Sequence, residues 1–433
     1  MLQISRKSFL FLFLFFIVST LIYLTISTNY IYEIKQPFQS LDLPNISHAT
    51  SNTIETKIIE CREFADLTSY CLYENVCFKD NDFIFLTTNK TLENVNFEFN
   101  GQLSQWDHYY VQDTNGKIMR KNPNNPLPFR SFISGKYSNP LIWKESKIHH
   151  EGCHSFLAFD FHGHNIFHWS IKVSPLFLFK HYNKNNVCLT FKSIRLISRS
   201  PNDLNDWQRN FLEISSDLKI DETNYEFTNK ANSNRYKLQC YKHVLVPGTS
   251  IYLFTGPKEA IDFREKVSRR YGIVYERRKV IIIKRKNRLI VNQNEFEEFI
   301  REKFGNESVE CIFLEELNFQ QQVEKISKAK LLIGVHGAGL TNGIFVPTLG
   351  TIIEITAPHF HYPLYERIAV QSGHIFFRFV TQYDPKIHAD TYAKINSIDC
   401  LSQANCMLYW KNAALKVDIS NFSVILDQAL EVL

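Results

Sequence analysis

The chain has 433 residues, enough for two domains of ordinary size, and its 44% hydrophobic and 14% aromatic content supports packed cores. A formal net charge of +5 is too mild to mark a nucleic-acid binder, although Arg277-Arg278-Lys279 and Lys284-Arg285-Lys286 concentrate positive charge locally. Nine cysteines without a Cys-x-x-Cys pair or a clustered Cys/His set argue against structural zinc.

At the N-terminus Arg6 and Lys7 precede an uncharged stretch, residues 8–27, dominated by Phe, Leu and Ile. Its length meets the about 20 residues that a bilayer-spanning helix needs. The basic residues before it place a short tail, 1–7, in the cytosol. No Ala-x-Ala site follows, so an uncleaved signal anchor is expected, with the body in the lumen. Residues 28–60 are polar and aperiodic, as a luminal stem would be. Asn45, Asn89, Asn306 and Asn421 each open an N-glycosylation tripeptide and are acceptors if exposed. The cysteines cluster near both ends, which suggests local disulfides among Cys61, Cys71 and Cys77 or between Cys400 and Cys406; an odd total leaves at least one unpaired. Asp80-Asn81-Asp82 has the spacing of a metal-holding carboxylate pair, but nothing places it beside a phosphate-binding turn.

Asp160, His162, His164 and His168 put one acid and three imidazoles within nine residues. The histidines could coordinate zinc, yet no carboxylate or cysteine completes the set, so structural histidines are the better reading and no metal is expected. Pro247-Gly248 and Gly256-Pro257 then punctuate the chain, which sets the expected domains at 61–245 and 246–433. In the second of these, Lys279–Lys284 is a β-branched strand, and Phe296, Phe299, Ile300 and Phe304 fall at helical spacing over 294–304. A strand over 309–314, a helix over 319–330 and strands over 331–335 and 351–355 complete a β-α-β-α-β-α-β order. That order implies parallel strands, with ligands at their C-terminal ends.

The last of these turns carries the strongest signal. Gly334-Val335-His336-Gly337-Ala338-Gly339-Leu340-Thr341-Asn342 runs from a buried strand through small residues into the start of a helix over 340–345. Free backbone N–H groups and the helix dipole make such a junction an anion site. Gly337 and Gly339 let the backbone approach a diphosphate without a Cβ in the way. Glu354, at the end of the next strand, is placed to accept from ribose hydroxyls. A hydride-transfer enzyme would also use a doubly wound sheet, but the turn lacks the third glycine of that fingerprint, with Asn342 standing there instead.

With these residues in view, the sequence resembles glycosyltransferase family 61. The resemblance is carried by Ile283 through Glu295 with Arg285, Arg288 and Asn287, and by the turn His336 to Asn342 with Phe345, Pro347, Gly350 and Glu354. Gly163 through Trp169 and Trp410 through Asp418 extend it more weakly. The resemblance implies an α/β fold of two Rossmann-like domains facing a cleft, the GT-B type. It implies an inverting transfer of a sugar, GlcNAc first and xylose second, from a UDP-sugar co-substrate to a hydroxyl of a protein-linked acceptor or glycan, with no obligatory cofactor. His336, Gly337, Ala338, Gly339 and Asn342 would meet the diphosphate, Glu354 the ribose, and Arg285 and Arg288 the leaving group. The base would come from the first domain, with His168 the first candidate and Asp160 the second. Family members commonly carry an Asp four residues after that histidine; here the position is Lys172. A catalytically inactive luminal glycan-binding or scaffold protein is therefore the alternative. Partners would be a nucleotide sugar and a secretory-pathway glycoprotein or glycan. No retrieval signal ends the chain at Leu430-Glu431-Val432-Leu433, so the anchor would hold it in the Golgi or ER membrane.

Overall fold

The computed structural model describes residues 54–433 except 65–66, 80–81, 91–95, 99–109, 113–117, 121–133, 160–164, 184–185, 199–203, 222, 230–236, 248–252 and 361. The anchor expected at 8–27, Asn45, Asp160, His162 and His164 lie outside the described residues. Among the described residues no helix is long and apolar enough to cross a membrane.

In chain order the strands of the first half are β1 (Lys57–Phe64), β2 (Leu67–Lys79), β3 (Asp82–Leu86), β4 (Asn96–Glu98), a separate ribbon of β5 (Tyr110–Gln112) and β6 (Ile118–Arg120), β7 (Ser134–Ser138), β8 (Ile148–Phe159), β9 (Phe191–Ser198), β10 (Tyr225–Asn229) and β11 (Gln239–Pro247). They form a sheet in the order β10-β9-β8-β11-β2-β3-β7-β4, with β1 beside β2. Helices α1 (Ile166–Tyr182) and α2 (Asp206–Ser216) make the crossovers from β8 to β9 and from β9 to β10, so this end of the sheet is parallel. Beyond β11 the pairing turns antiparallel at β2, β1 and β3. The first sheet is thus mixed, and only its β8–β10 end follows the Rossmann-like pattern expected of it.

After α3 (Pro257–Tyr271) the chain builds a second sheet from β12 (Lys279–Lys284), β13 (Val309–Phe313), β14 (Ala329–Val335), β15 (Thr351–Thr356) and β16 (Ile375–Val380), in the order β13-β12-β14-β15-β16 and parallel throughout. Helices α4 (Gln293–Phe304), α5 (Phe319–Ile326) and α6 (Leu364–Gln371) lie in its crossovers, and α7 (Ala404–Asn412) and α8 (Ile419–Leu430) close the chain. The expected elements recur here within a few residues. The helix at 319 is shorter than expected because Ala329 already opens β14, while Asn318 and Gln321 cap its start reciprocally. The fifth strand, β16, was not expected.

The strands of this sheet are apolar on both faces, and side-chain alternation sorts them into two cores. Ile281, Ile283, Leu332 and Ile352 join a cluster that continues through Phe177 of α1, Phe211 of α2 and Phe263 of α3 to Leu72, Leu157 and Leu245 of the first sheet. Val280, Ile282, Leu331, Ile333, Ile353 and Ile355 face the other way, onto Phe296 of α4, Trp410 of α7 and Phe422 of α8. Helices α1 to α3 therefore share one continuous core with both sheets.

Cys61–Cys71 and Cys400–Cys406 are disulfides between near neighbours in sequence, as the clustering suggested. Cys77 instead pairs with Cys240 across 163 residues, because the two stand opposite each other where β11 lies along β2. Cys153 pairs with Cys188, and Cys311 is a free thiol.

Two histidines buried in this frame have a consequence for acid stability. Burial above all lowers His154 from 6.5 to about 4 and His374 to about 3. The folded state then binds fewer protons than the unfolded one below pH 6.5, so these groups leave stability intact above 6.5 and remove it as the pH falls toward about 4. The unfolding free energy from urea titration is expected to fall by several kcal/mol between pH 7 and pH 4, and His374→Leu should flatten that slope. An unfolding free energy independent of pH across this window would contradict it.

Candidate functional site

The strand order places a topological switch between β12 and β14, where neighbouring strands send their chains to opposite sides; ligands bind there in open parallel sheets. Register then lines up the C-terminal ends. Ile283 of β12 stands beside Gly334 of β14, Gly334 beside Glu354 of β15, and Glu354 beside Arg378 of β16. The loop after β12 brings Arg285 and Arg288, and the loop after β14 brings His336 and the glycine turn.

The turn continues into a 3-10 helix, Ala338–Phe345, rather than an α-helix. Leu340 N–H closes onto Gly337 O at 2.9 Å, but no protein acceptor among the described residues meets the N–H groups of Gly337, Ala338 and Gly339. Such unsatisfied donors at a helix start are what an anion requires. Above them lie the two guanidiniums. A Cβ on Gly337 would stand 1.8 Å from Arg285 Nη1 and 3.0 Å from Arg288 Nη1, so the residue must be glycine for both side chains to occupy their places. A Cβ on Gly339 would meet only ordinary contacts at 3.5 Å, so the protein's own packing does not require glycine there.

Neither arginine is neutralised. Arg285 Nη2 donates to Asn287 Oδ1 at 2.9 Å and Arg288 Nη1 to the His336 carbonyl at 2.8 Å, and no carboxylate among the described residues pairs with either. Arg285 Nη1 and Arg288 Nε are buried and meet no partner. Burial and the neighbouring Arg285 charge push Arg288 below its usual range. Arg288 also holds a left-handed backbone, φ 55°, a conformation that costs an L-residue about 1–2 kcal/mol. Two like charges, orphaned donors and a strained backbone converge on one spot. A bound polyanion would relieve the first two.

Behind the turn runs a buried ionic line. His336 Nδ1–H donates to Glu354 Oε1 at 2.6 Å, and Arg378 Nε donates to Glu354 Oε2 at 2.8 Å. Arg378 continues to Glu366 at 3.2 Å. Burial raises the Glu354 carboxyl, but His336 and Arg378 outweigh it and hold the group ionised. At His336, by contrast, burial outweighs the pull of Glu354 and lowers the ring, which favours the neutral form with Nε2 as an acceptor. Phe360, Tyr362 and Tyr365 surround the ring, with centroids at 4.7, 6.2 and 4.9 Å.

Two expected contacts change in this light. Glu354 is 0% exposed with both oxygens engaged, so it orients His336 rather than facing a ribose. Asn342 is also 0% exposed: its amide oxygen accepts from Trp207 Nε1 at 3.2 Å, and its NH₂ donates to Gln322 Oε1 at 3.1 Å. Its side chain anchors the turn to α2 and α5 instead of reaching a diphosphate.

The first half approaches the site through α1. Asn165 caps that helix by accepting from Phe167 N–H, Phe167 meets Tyr365 edge-on at 6.0 Å, and His168 is the next residue, half-buried in the first turn. Lys172 lies one turn further along the same face of α1. Asn89, Asn306 and Asn421 are exposed. Among the described residues no group of three His, Cys, Asp or Glu side chains is placed to hold a metal ion.

Sequence reasoning missed Arg378 and Tyr365. A lone arginine in Ile-Phe-Phe-Arg-Phe-Val marks Arg378, and pairing that strand beside Glu354 would have found it. Removing Glu354 leaves Arg378 and His336 without their shared partner. Glu354→Ala should therefore destabilise the fold by about 3–5 kcal/mol in a denaturant titration, and a loss below about 1 kcal/mol would mean that the ionic line contributes little.

A model of the Glycosyltransferase 61 family matches residues 162–353. Mouse protein O-linked-mannose beta-1,4-N-acetylglucosaminyltransferase 2 is 28% identical over 134 residues, 30% of this chain and 22% of the mouse protein. The dog protein of the same name is 30% identical over 97 residues, 22% of this chain and 17% of its own length. Rice alpha-1,3-arabinosyltransferase XAT2 is 29% identical over 147 residues, 28% of this chain and 24% of the rice protein. The chain thus spans about a fifth of the length of these curated relatives. The resemblance carried by the turn and its arginines is shown: residues 162–353 bear the sequence pattern of glycosyltransferase family 61.

Proposed function

We propose that the chain is an inverting glycosyltransferase that moves a sugar from a UDP-sugar to a hydroxyl of a protein-linked acceptor or glycan in the secretory pathway. The observation that carries this reading is the unneutralised pair Arg285 and Arg288 over Gly337, with free backbone donors beneath, at the switch point of a parallel sheet. The relatives' names favour GlcNAc as the sugar, with a pentose second. The two Rossmann-like domains of the GT-B arrangement, the luminal body, the membrane anchor at 8–27 and retention in Golgi or ER belong to the same reading. So does glycosylation at Asn45, Asn89, Asn306 and Asn421.

The chemistry assigns each group one task. The acceptor oxygen attacks the anomeric carbon, the bond from that carbon to the diphosphate oxygen breaks, and the acceptor proton passes to a base. His168 is that base, since its helix start adjoins the His336 ring through Phe167 and Tyr365; Asp160 is the second candidate. Arg285, Arg288 and the turn's N–H groups stabilise the departing diphosphate without an obligatory metal. His336 Nε2, an acceptor, suits a donor hydroxyl better than a phosphate oxygen.

Lys172 supports a second reading, a nucleotide-binding protein without turnover, because no carboxylate follows His168 by one turn to orient it. Titration of the full-length chain with UDP and UDP-GlcNAc, followed by donor hydrolysis and transfer assays, separates the two. Arg285→Ala should weaken UDP by about 10–100-fold, and Gly337→Ala should do likewise by displacing the guanidinium. His168→Ala should leave donor affinity intact and cut transfer by about 10²–10⁴-fold. Unchanged UDP affinity in Arg285→Ala would overturn the donor site, and undiminished transfer in His168→Ala would move the base elsewhere.

A further inference from the structure

Lys411 stands in the last turn of α7, half-buried. The chain that leaves this helix is pinned to the arginine loop: Leu415 N–H donates to Leu289 O at 2.8 Å, and Leu415 O accepts from Val291 N–H at 2.7 Å. Asn292 adds a side-chain bond to Val417 O at 2.8 Å. This pairing brackets Ile290, two residues past Arg288, and ties the chain leaving α7 to the loop that carries Arg288. Trp410, one residue earlier, is buried against His359 and His388 and fixes the helix's rotation. Among the described residues no carboxylate or other acceptor meets the Lys411 ammonium. Burial, and next the Arg288 charge, depress its pKa.

A lysine in a helix's last turn ordinarily complements the helix dipole. That role is served by an exposed ammonium and gives no reason to bury it beside a second cation. We infer that Lys411 is a third cation of the donor site, one that holds the charge the diphosphate acquires as the sugar leaves. The inference rests on the donor reading above. When the bond between the anomeric carbon and the diphosphate oxygen breaks, its electron pair stays on that oxygen, so the departing nucleotide carries one more negative charge than the nucleotide sugar did. Arg285 and Arg288 suffice for the ground-state diphosphate; a third cation favours the state in which the extra charge has formed.

The test compares Lys411→Met, Lys411→Arg and the unaltered full-length chain in binding to UDP, UDP-GlcNAc and inorganic pyrophosphate. The expected result is that Lys411→Met weakens UDP and pyrophosphate at least about tenfold and UDP-GlcNAc no more than about threefold, with Lys411→Arg restoring most of the loss. Equal weakening of UDP and UDP-GlcNAc, or no weakening of either, overturns the inference while leaving the donor site standing. An unaltered chain that binds neither UDP nor pyrophosphate overturns both. A Lys411→Met chain that melts below the unaltered one without ligand, while Lys411→Arg keeps both fold and UDP preference, supports the inference through the arginine variant; an arginine variant that folds and has lost the preference counts against it.

Discussion

The constraint on which the rest depends is the close approach of two guanidiniums to a backbone that has no Cβ. Arg285 and Arg288 occupy the space a side chain at Gly337 would take, and nothing negative among the described residues neutralises them. Like charges that are partly buried repel and lose hydration, so a fold keeps them only where other interactions fix their places. Here the fixing comes from the sheet. Parallel register sets Ile283, Gly334, Glu354 and Arg378 in one row, and the loops that leave this row converge at the switch point.

Charge separation across that row organises the site. Glu354 is the one carboxylate at its centre, and it is committed on both oxygens to His336 and Arg378. Its negative charge is therefore turned away from the arginine pair, which keeps its field for a ligand. The buried line also sets the tautomer of His336, so the turn presents an acceptor beside a cluster of donors. That combination suits a molecule with both hydroxyl and phosphate groups. The two halves of the chain meet at the same place. Trp207 of α2 holds Asn342, Asp206 accepts from Phe319 N–H at 2.6 Å, and Phe167 of α1 meets Tyr365. The continuous core along α1 to α3 makes the turn's position depend on both sheets.

Much of the second sheet was legible because its signals are local. Lys279–Lys284 carries β-branched residues from Val280 to Ile283, and the Gly334–Asn342 junction announces a strand, a turn and a helix start. The arginines and His336 were legible as residues, since phosphate chemistry calls for those types near such a turn. At Glu354 and Asn342 the sequence gives the residue's chemistry but not the direction of its side chain: both are buried in the protein and hold the turn. Arg378 and Lys411 reach the site only through register and a returning C-terminal segment, contacts between residues far apart in the chain. Cys77–Cys240 was hidden for the same reason. The first sheet was the least legible part, because its mixed pairing places β11 between β8 and β2 without a local signal.

A crystal structure of the chain with UDP bound tests the donor site most directly. Diphosphate oxygens are expected within hydrogen-bond distance of Arg285, Arg288 and the N–H groups of Gly337 to Gly339, with Glu354 still enclosed between His336 and Arg378. UDP seated elsewhere, or arginines that turn away from the diphosphate to pair with carboxylates, would contradict it.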